Sequence, residues 1–420
     1  MIDILKIILI PLIVLNLIPV LIWMERKGAA YIQDRRGPNR ANILGIRLGG
    51  LIHNIADVIK LLSKEDFVPA GVHRLYFILA PAILMFVSFV TVAVIPLADT
   101  LQWGGRSVSL QVADLNVGLL YILSISSLSV YSMLLAGWAS NSKYAFLGGL
   151  RACSQMISYE ITLGLSLVAV MMLSQSVSLN EIILNQGNAP WGWNAVRQPL
   201  AFLLFLVASY AETNRTPFDL PEGESEIVGF HVEYSSMKFA LFFMGEYAAM
   251  VIVSALTAAL FFGGWQVPFL STEALKTGAP ALFYQGLLIF SVVSLVGGFL
   301  LLKKYKKGKG FLYRDRRDFE PLFFGGLAVG IGLLVGLVTL FFSPGTRLLA
   351  AGSLGAALFA AVVQFASFIL KTLFFCFLFV WVRWTLPRFR YDQLMRFGWK
   401  MTLPLALLNV MITGFVLLWK

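Results

Sequence analysis

The 420-residue chain is 58% hydrophobic and only 13% charged, with a mean hydropathy of +0.80 and a formal net charge of +11. Soluble domains carry roughly 25% charged residues, so no single soluble core can consume this much apolar sequence, and repeated uncharged runs predict an all-α polytopic membrane protein. With two Cys (Cys153, Cys376) and three His (His53, His73, His231), no disulfide framework, CxxC zinc site, iron–sulfur spacing or bis-histidine haem site can be assembled.

The first apolar run, MIDILKIILIPLIVLNLIPVLIWMERKG, is longer than a signal-peptide core and lacks a small-residue cleavage site, so it reads as a retained span. Apolar segments at 4–24, 75–97, 114–138, 156–176, 198–212, 238–263, 281–302, 322–342, 354–382 and 401–419 predict about ten spans. The 198–212 segment is short, and the 354–382 segment is long enough to tilt. Of 33 Lys and Arg, 26 fall in the odd-numbered loops, six in the termini and even loops, and Lys371 lies inside a span. The positive-inside rule then makes the odd loops cytoplasmic and puts both termini on the opposite side.

The first loop, 25–74, hides a helix. In ILGIRLGGLIHNIADVIKLLSKEDF, apolar residues recur at Leu44, Leu48, Leu51, Ile55, Val58 and Leu62. His53, Asp57, Lys60 and Lys64 share another face, the pattern of an interfacial amphipathic helix. Such a helix either floats on lipid headgroups or turns its Asp57/Lys60 face towards a polar chamber. Neither a 20–50-residue repeat nor an inverted transporter repeat is evident. The glycines of GGLAVGIG (325–332) predict close helix packing, since no strand precedes them to make a nucleotide loop.

The chain gathers its negative charge in one place. Six of its 22 carboxylates (Glu212, Asp219, Glu222, Glu224, Glu226, Glu233) fall between 212 and 233, with Arg215 the one basic residue among them. Glu160 and Glu212 stand near the cytoplasmic ends of their spans. Glu246 is eight residues into its own, about 12 Å deep at 1.5 Å per residue. An ionised carboxylate at the bilayer centre costs on the order of 2.5–3.5 kcal/mol, so such residues face protein or water, pair with a cation, or stay protonated. Three of them on one side of the membrane, beside an acidic loop carrying Phe218, Leu220 and Pro217, predict a proton-conducting file. Lys371 is a candidate counter-charge deeper in.

Four stretches carry a family resemblance: ERKGAAYIQDRRGPNRANILG (25–45), SKYAFLGGLRACSQMISYEI (142–161), AETNRTPFDLPEGESEIVGFHVEYSSMKFALFFMGEY (211–247) and LPRFRYDQLMRFGWKMTLPL (386–405). They resemble the H-type membrane subunits of proton-translocating NADH:quinone oxidoreductases, respiratory complex I. The resemblance implies a subunit that anchors the peripheral arm, completes a quinone chamber and couples quinone reduction to proton translocation. Its proton path would comprise Asp57, Glu160, Glu212, Glu222, Glu224, Glu226 and Glu246. The chamber would include Glu25, Arg26, Arg36, Lys60, Arg151, Arg215 and Asp219. Quinone would be a substrate shared with partner subunits, and flavin, iron–sulfur clusters and haem would lie outside this chain.

As an organisation, the resemblance implies a core of eight spans. Residues 1–275 would hold six of them with quinone-side loops 25–74, 139–155 and 213–237, and 351–420 the last two. Residues 276–350 are then a two-span insertion whose basic connection, KKYKKGKGFLYRDRRDFE (303–320), binds anionic lipid headgroups, meets an acidic partner or stays solvated. The expected partners are peripheral quinone-module subunits, small membrane-arm subunits and lipid, with no nucleic acid, in a bacterial inner membrane. Two alternatives share some features: the homologous membrane subunit of a hydrogenase-type complex, and a stand-alone secondary transporter.

Overall fold

The computed structural model describes residues 2–103, 106–220, 229–306, 319–341 and 353–419. Among these, nine helices are long and apolar enough to cross a membrane, and Pro199–Glu212 is a shorter apolar helix, so ten segments stand where ten were expected. The chain is an all-α integral membrane protein.

In chain order the elements are α1 (Ile2–Ile32), α2 (Ile52–Ser63), α3 (Arg74–Val92), a hairpin of β1 (Leu101–Trp103) and β2 (Arg106–Val108), α4 (Gly118–Ser126), α5 (Ser129–Ala139) and α6 (Lys143–Ser174). There follow α7 (Leu179–Gln186), the one-turn α8 (Asn194–Arg197), α9 (Pro199–Glu212), α10 (Ser236–Phe261), α11 (Thr272–Thr277) and α12 (Ala279–Lys306). The chain closes with α13 (Glu320–Phe341), α14 (Leu354–Thr385), α15 (Tyr391–Phe397) and, after a π-helical turn at Gly398–Thr402, α16 (Leu403–Leu418). The hairpin is antiparallel, with Gln102 opposite Ser107.

α10 is the axis of the bundle. Its residues from Met250 to Phe261 are buried without a break, so it shows no polar face. α1, α3, α9 and α14 pack around it, and α6 joins through α9. At about 1.5 Å per residue, α1, α6 and α14 exceed a ~30 Å hydrocarbon core by roughly 15 Å. Residues 139–155, expected as a loop, are therefore mostly helix. Ala145, Gly148, Gly149 and Ala152 recur on a buried face and carry α6 beyond its most apolar part.

The span expected at 114–138 is divided after Ser126. Ser124, Ser126 and Ser127 turn their hydroxyls onto the carbonyls of Leu120, Leu123 and Ser124, which offers the backbone an alternative to a regular ladder. The amphipathic helix is also shorter than its periodicity predicts. It begins at Ile52 because Gly49 and Gly50 have φ of +63° and +103°. A Cβ at Gly50 would lie 2.1 Å from the Pro38 carbonyl oxygen, so the chain must turn there on a glycine.

Helices α12 and α13 pack on one another through small residues, as the glycine pattern implies. A Cβ on Gly298 would lie 2.8 Å from the Gly325 carbonyl oxygen, and Ser291 Oγ donates to the Gly332 carbonyl at 2.8 Å. Their outer faces are exposed apolar surface, including Ile289, Val293, Leu334 and Leu337, at the rim of the bundle.

The Gly50 turn generates a prediction. Gly50→Ala combines a left-handed φ with a backbone clash and costs upwards of about 2 kcal/mol. Gly164→Ala, in the middle of α6 with open space at the added Cβ, is neutral or stabilising. Thermal unfolding of the assembled membrane complex checks the contrast, and equal stability of the two variants would contradict it.

Candidate functional site

The segment after α9 turns back into the bundle and is held by α6. Gln155 Nε2 donates to the Ala211 carbonyl at 2.8 Å, to Asn214 Oδ1 at 3.1 Å and to the Phe218 carbonyl at 2.8 Å. Asn214 takes a left-handed φ of +48°, which tightens the turn. These bonds aim Arg215 inward, where only 5% of its surface stays exposed.

Arg215 lies over the Tyr247 ring, 4.2 Å from guanidinium carbon to centroid. Its two terminal nitrogens stand 3.9 Å from Glu25 Oε2 and 3.7 Å from Glu246 Oε2. These are ion-pair distances, longer than direct hydrogen bonds. Glu25 is held more closely from two other sides. Tyr247 donates its hydroxyl to Oε2 at 2.6 Å, and Arg383 reaches Oε1 at 2.8 Å. Among the described residues, two arginines and two glutamates, drawn from α1, α10, α14 and the turn after α9, form a charge-balanced cluster in which Arg383 is half-buried and the other three are buried. Balance is what makes burial of these charges tolerable.

Glu246, 7% exposed, also faces the other way. With Glu212, Thr213, Thr91, Ser126 and Ser129 it lines an interhelical cavity of about 60 Å³, enough volume for more than one water. The break between α4 and α5 lies on this wall. Glu212 also interacts electrostatically with Glu160 of α6, which is half-buried. Glu212 thus shares a cavity with Glu246 and feels the charge of Glu160, and Glu246 in turn pairs with Arg215.

A second, larger cavity of about 270 Å³ lies between α1, α2 and α10. Ile18, Ile22, Phe243 and Met244 supply apolar walls, and Arg26, Asp57 and Lys60 supply its charge. Arg26 and Asp57 form an ion pair there. Asp57, grouped in sequence with the carboxylate path, is therefore on the large cavity beside Arg26 and Lys60. Glu25, grouped with the chamber, belongs to the buried cluster. Adjacent positions on α1 point about 100° apart, which divides Glu25 from Arg26. The two cavities lie on different faces of α10, whose Phe243 and Met244 line one while Glu246 lines the other.

Asp219 is buried and receives Arg388 at 3.0 Å. Phe218 stacks on Phe389 at 5.6 Å, and the Phe389 amide donates to the Pro217 carbonyl at 3.2 Å. The stretch of chain after α14 is thereby fastened to the turn after α9. Arg151 lies above the Tyr391 ring at 5.5 Å, on this same side. Arg36 is exposed in the loop after α1, where its carbonyl accepts from Lys27 Nζ at 3.1 Å, and it does not enter the cluster. Glu222, Glu224 and Glu226 lie outside the described residues.

Lys371 is not a counter-charge to these carboxylates. Its ammonium donates to the carbonyls of Phe262, Gly264 and Gln266 at 2.9, 2.9 and 2.7 Å, closing the far end of α10. There it meets the negative end of the helix dipole. Sequence reasoning does not find Tyr247, Arg383 or Arg388. The two arginines follow the long span in WVRWTLPRFR, and a basic cluster at a helix end is the one signal they give. Tyr247 gives none beyond standing next to Glu246.

These features belong to a class of membrane protein that keeps charge inside its bundle beside interhelical cavities. The family model described as NADH dehydrogenase matches residues 5–308 and 320–414. The NADH-quinone oxidoreductase H subunit 1 of Solibacter usitatus is 41% identical over 409 residues, covering 94% of this chain and 92% of that one. The NADH-quinone oxidoreductase H subunit 2 of Geobacter sulfurreducens is 40% identical over 414 residues, covering 98% and 95%. The corresponding H subunit of Flavobacterium johnsoniae is 39% identical over 397 residues, covering 94% and 89%. The chain belongs to the NADH dehydrogenase family, on the branch of these H subunits. These matches favour the quinone-linked reading over a hydrogenase-type complex or a lone transporter.

The shared cation can be tested directly. Arg215→Met takes from Glu25 and Glu246 the cation between them and costs about 3–5 kcal/mol. The Arg215→Met/Glu246→Gln double variant recovers part of that loss. A double-mutant cycle on thermal unfolding of the complex reads the coupling directly, and additive effects would contradict the cluster as described.

Proposed function

We propose that this chain is the complex I membrane subunit that completes the quinone chamber and starts the proton path, working with the other subunits of that complex. The observation that carries the reading is the Glu25–Arg215–Glu246 cluster, which stands between a large cavity at one face and a carboxylate-lined cavity inside. Reduction of quinone to quinol takes two electrons and two protons. The electrons arrive from redox centres in partner subunits. The large cavity, with its apolar walls and the Arg26–Asp57 pair and Lys60 at its edge, suits a molecule with a polar head and an apolar tail.

The coupling step is electrostatic. At an effective dielectric near 20, a unit charge about 6 Å away is worth roughly 3 kcal/mol, on the order of a hundredfold in a protonation equilibrium. Charge appearing at a reducing headgroup acts first on Arg26, Asp57 and Lys60 at the edge of the cavity and then on Glu25 and Arg215. Arg215 is shared, so any loosening on the Glu25 side strengthens or weakens its hold on Glu246. Glu246 then exchanges its proton with Glu212 through the cavity they line, and Glu212 with Glu160. Glu222, Glu224 and Glu226 are assigned to the same path by the family resemblance. Arg36, Arg151 and Asp219 shape the surface on which the peripheral quinone module docks, and small membrane-arm subunits receive the path.

The same reading makes the odd-numbered loops cytoplasmic in a bacterial inner membrane and the 276–350 unit an addition at the periphery of an eight-span core. Lipid covers the exposed faces of that unit.

Glu246→Gln and Glu212→Gln keep the shape of each site but cannot carry a proton. Each is expected to lower proton pumping by at least about tenfold, the effect of adding roughly 1.4 kcal/mol to one relay step. Quinone reduction and pumping are scored separately in the assembled enzyme reconstituted into vesicles. Normal values of both in either variant would remove that residue from the path.

A further inference from the structure

The hairpin of α12 and α13 meets the rest of the chain at an unexpected place. Glu320, the first residue of α13, accepts Arg47 Nε at 3.0 Å and the backbone amide of Gly49 at 3.3 Å. Both partners come from the short segment just ahead of α2. The ion pair is shielded, with side chains 10% and 14% exposed, so it is held more firmly than a surface pair. On its other side the same glycine is fixed as well, since its carbonyl accepts Trp23 Nε1 of α1 at 3.0 Å. Gly49 is thus clamped between α1 and α13, in a left-handed conformation, three residues before α2 begins.

α2 is a wall of the large cavity and brings Asp57 and Lys60 to it. Two further bonds tether this helix. Asn54 Nδ2 donates to the Pro19 carbonyl of α1 at 2.6 Å, and Ser236 Oγ of α10 donates to the Leu61 carbonyl at 2.9 Å. The start and the end of α2 itself are therefore fixed from α1 and α10, and the chain entering it is fixed from α13 through Glu320. At the far end of the hairpin, Phe283 packs edge-on against Phe359 of α14 at 5.8 Å, so the hairpin itself is anchored to the core.

We propose that the α12–α13 hairpin is a brace for the cavity, and that Glu320 is the positioning residue that sets the pitch of α2 and with it the access of a long-tailed substrate. This rests on the quinone reading of the cavity. Without Glu320, α2 pivots about Asn54, and the cavity mouth widens or narrows while the buried Glu25–Arg215–Glu246 cluster is untouched. The effect falls on substrate entry and not on the chemistry that follows.

The experiment uses the purified, assembled complex with Glu320→Ala, Glu320→Gln and Glu320→Asp. Two measurements are made: amide hydrogen exchange over residues 47–57, and KM and kcat for a quinone with a long isoprenoid tail. For Glu320→Ala we expect exchange in that segment to quicken by about tenfold, the loss of a charge-assisted tether. KM should rise by roughly three- to tenfold with kcat within about twofold. Glu320→Asp restores most of both, and Glu320→Gln, which keeps the amide contact without the charge, falls between and stands in if Glu320→Ala does not assemble. Unchanged exchange in the Ala and Gln variants overturns the brace. Faster exchange with unchanged KM overturns its role in substrate access. In that case Lys60→Met separates the causes, because a normal KM there too means the cavity is not where quinone enters.

Discussion

One buried guanidinium holds the site together. Arg215 is placed between a carboxylate of α1 and a carboxylate of α10, against the ring of Tyr247, and almost out of reach of solvent. Among the described residues, Glu25 and Glu246 are the carboxylates that make a cation tolerable in such a position, and Glu25 is held by Arg383 as well. The surrounding fold is what such an arrangement needs: a turn after α9 that doubles back into the bundle, a glutamine on α6 that satisfies its carbonyls, and a buried α10 that presents Glu246 and Tyr247 at fixed height. A site of this kind converts a small change of charge at one carboxylate into a change at the other, since both share Arg215.

α10 carries this coupling between two environments. Its face towards α1 and α2 is apolar and opens on a large cavity. One turn further along, it presents Glu246 to a smaller cavity shared with Glu212. The far end of the same helix is closed by Lys371, whose three bonds to carbonyls fix the helix where it would otherwise fray. α10 is therefore held at two levels by a basic side chain donated from elsewhere, Arg215 at one and Lys371 at the other. That rigidity suits a helix across which charge is to be felt.

The spans were legible in the sequence because burial in lipid needs long uncharged runs and little else. Their ends were not, since α1 and α6 continue past the apolar stretch on amphipathic turns such as Lys143–Gln155. Periodicity found α2 but extended it back across Gly49 and Gly50, whose backbone conformations no hydrophobic pattern can reveal. The carboxylates Glu160, Glu212 and Glu246 stood out because charge in an apolar span is costly. The partners Tyr247 and Arg383 stayed hidden, because a partner is fixed by which helices pack together. For the same reason sequence could not show that Glu25 stands beside Arg215 while Asp57 lines the larger cavity, or that the partners of Lys371 are backbone carbonyls.

The central claim is that charge appearing at the large cavity, where quinone is proposed to be reduced, changes the protonation of Glu246 through the cluster at Arg215. Infrared difference spectroscopy of the complex, reduced minus oxidised, reads carboxyl groups that gain or lose a proton. A carboxyl band is expected in the native enzyme, absent in Glu246→Gln and shifted in Arg215→Lys, where a point charge replaces a cation that reaches both glutamates. A difference spectrum identical in all three would contradict the account.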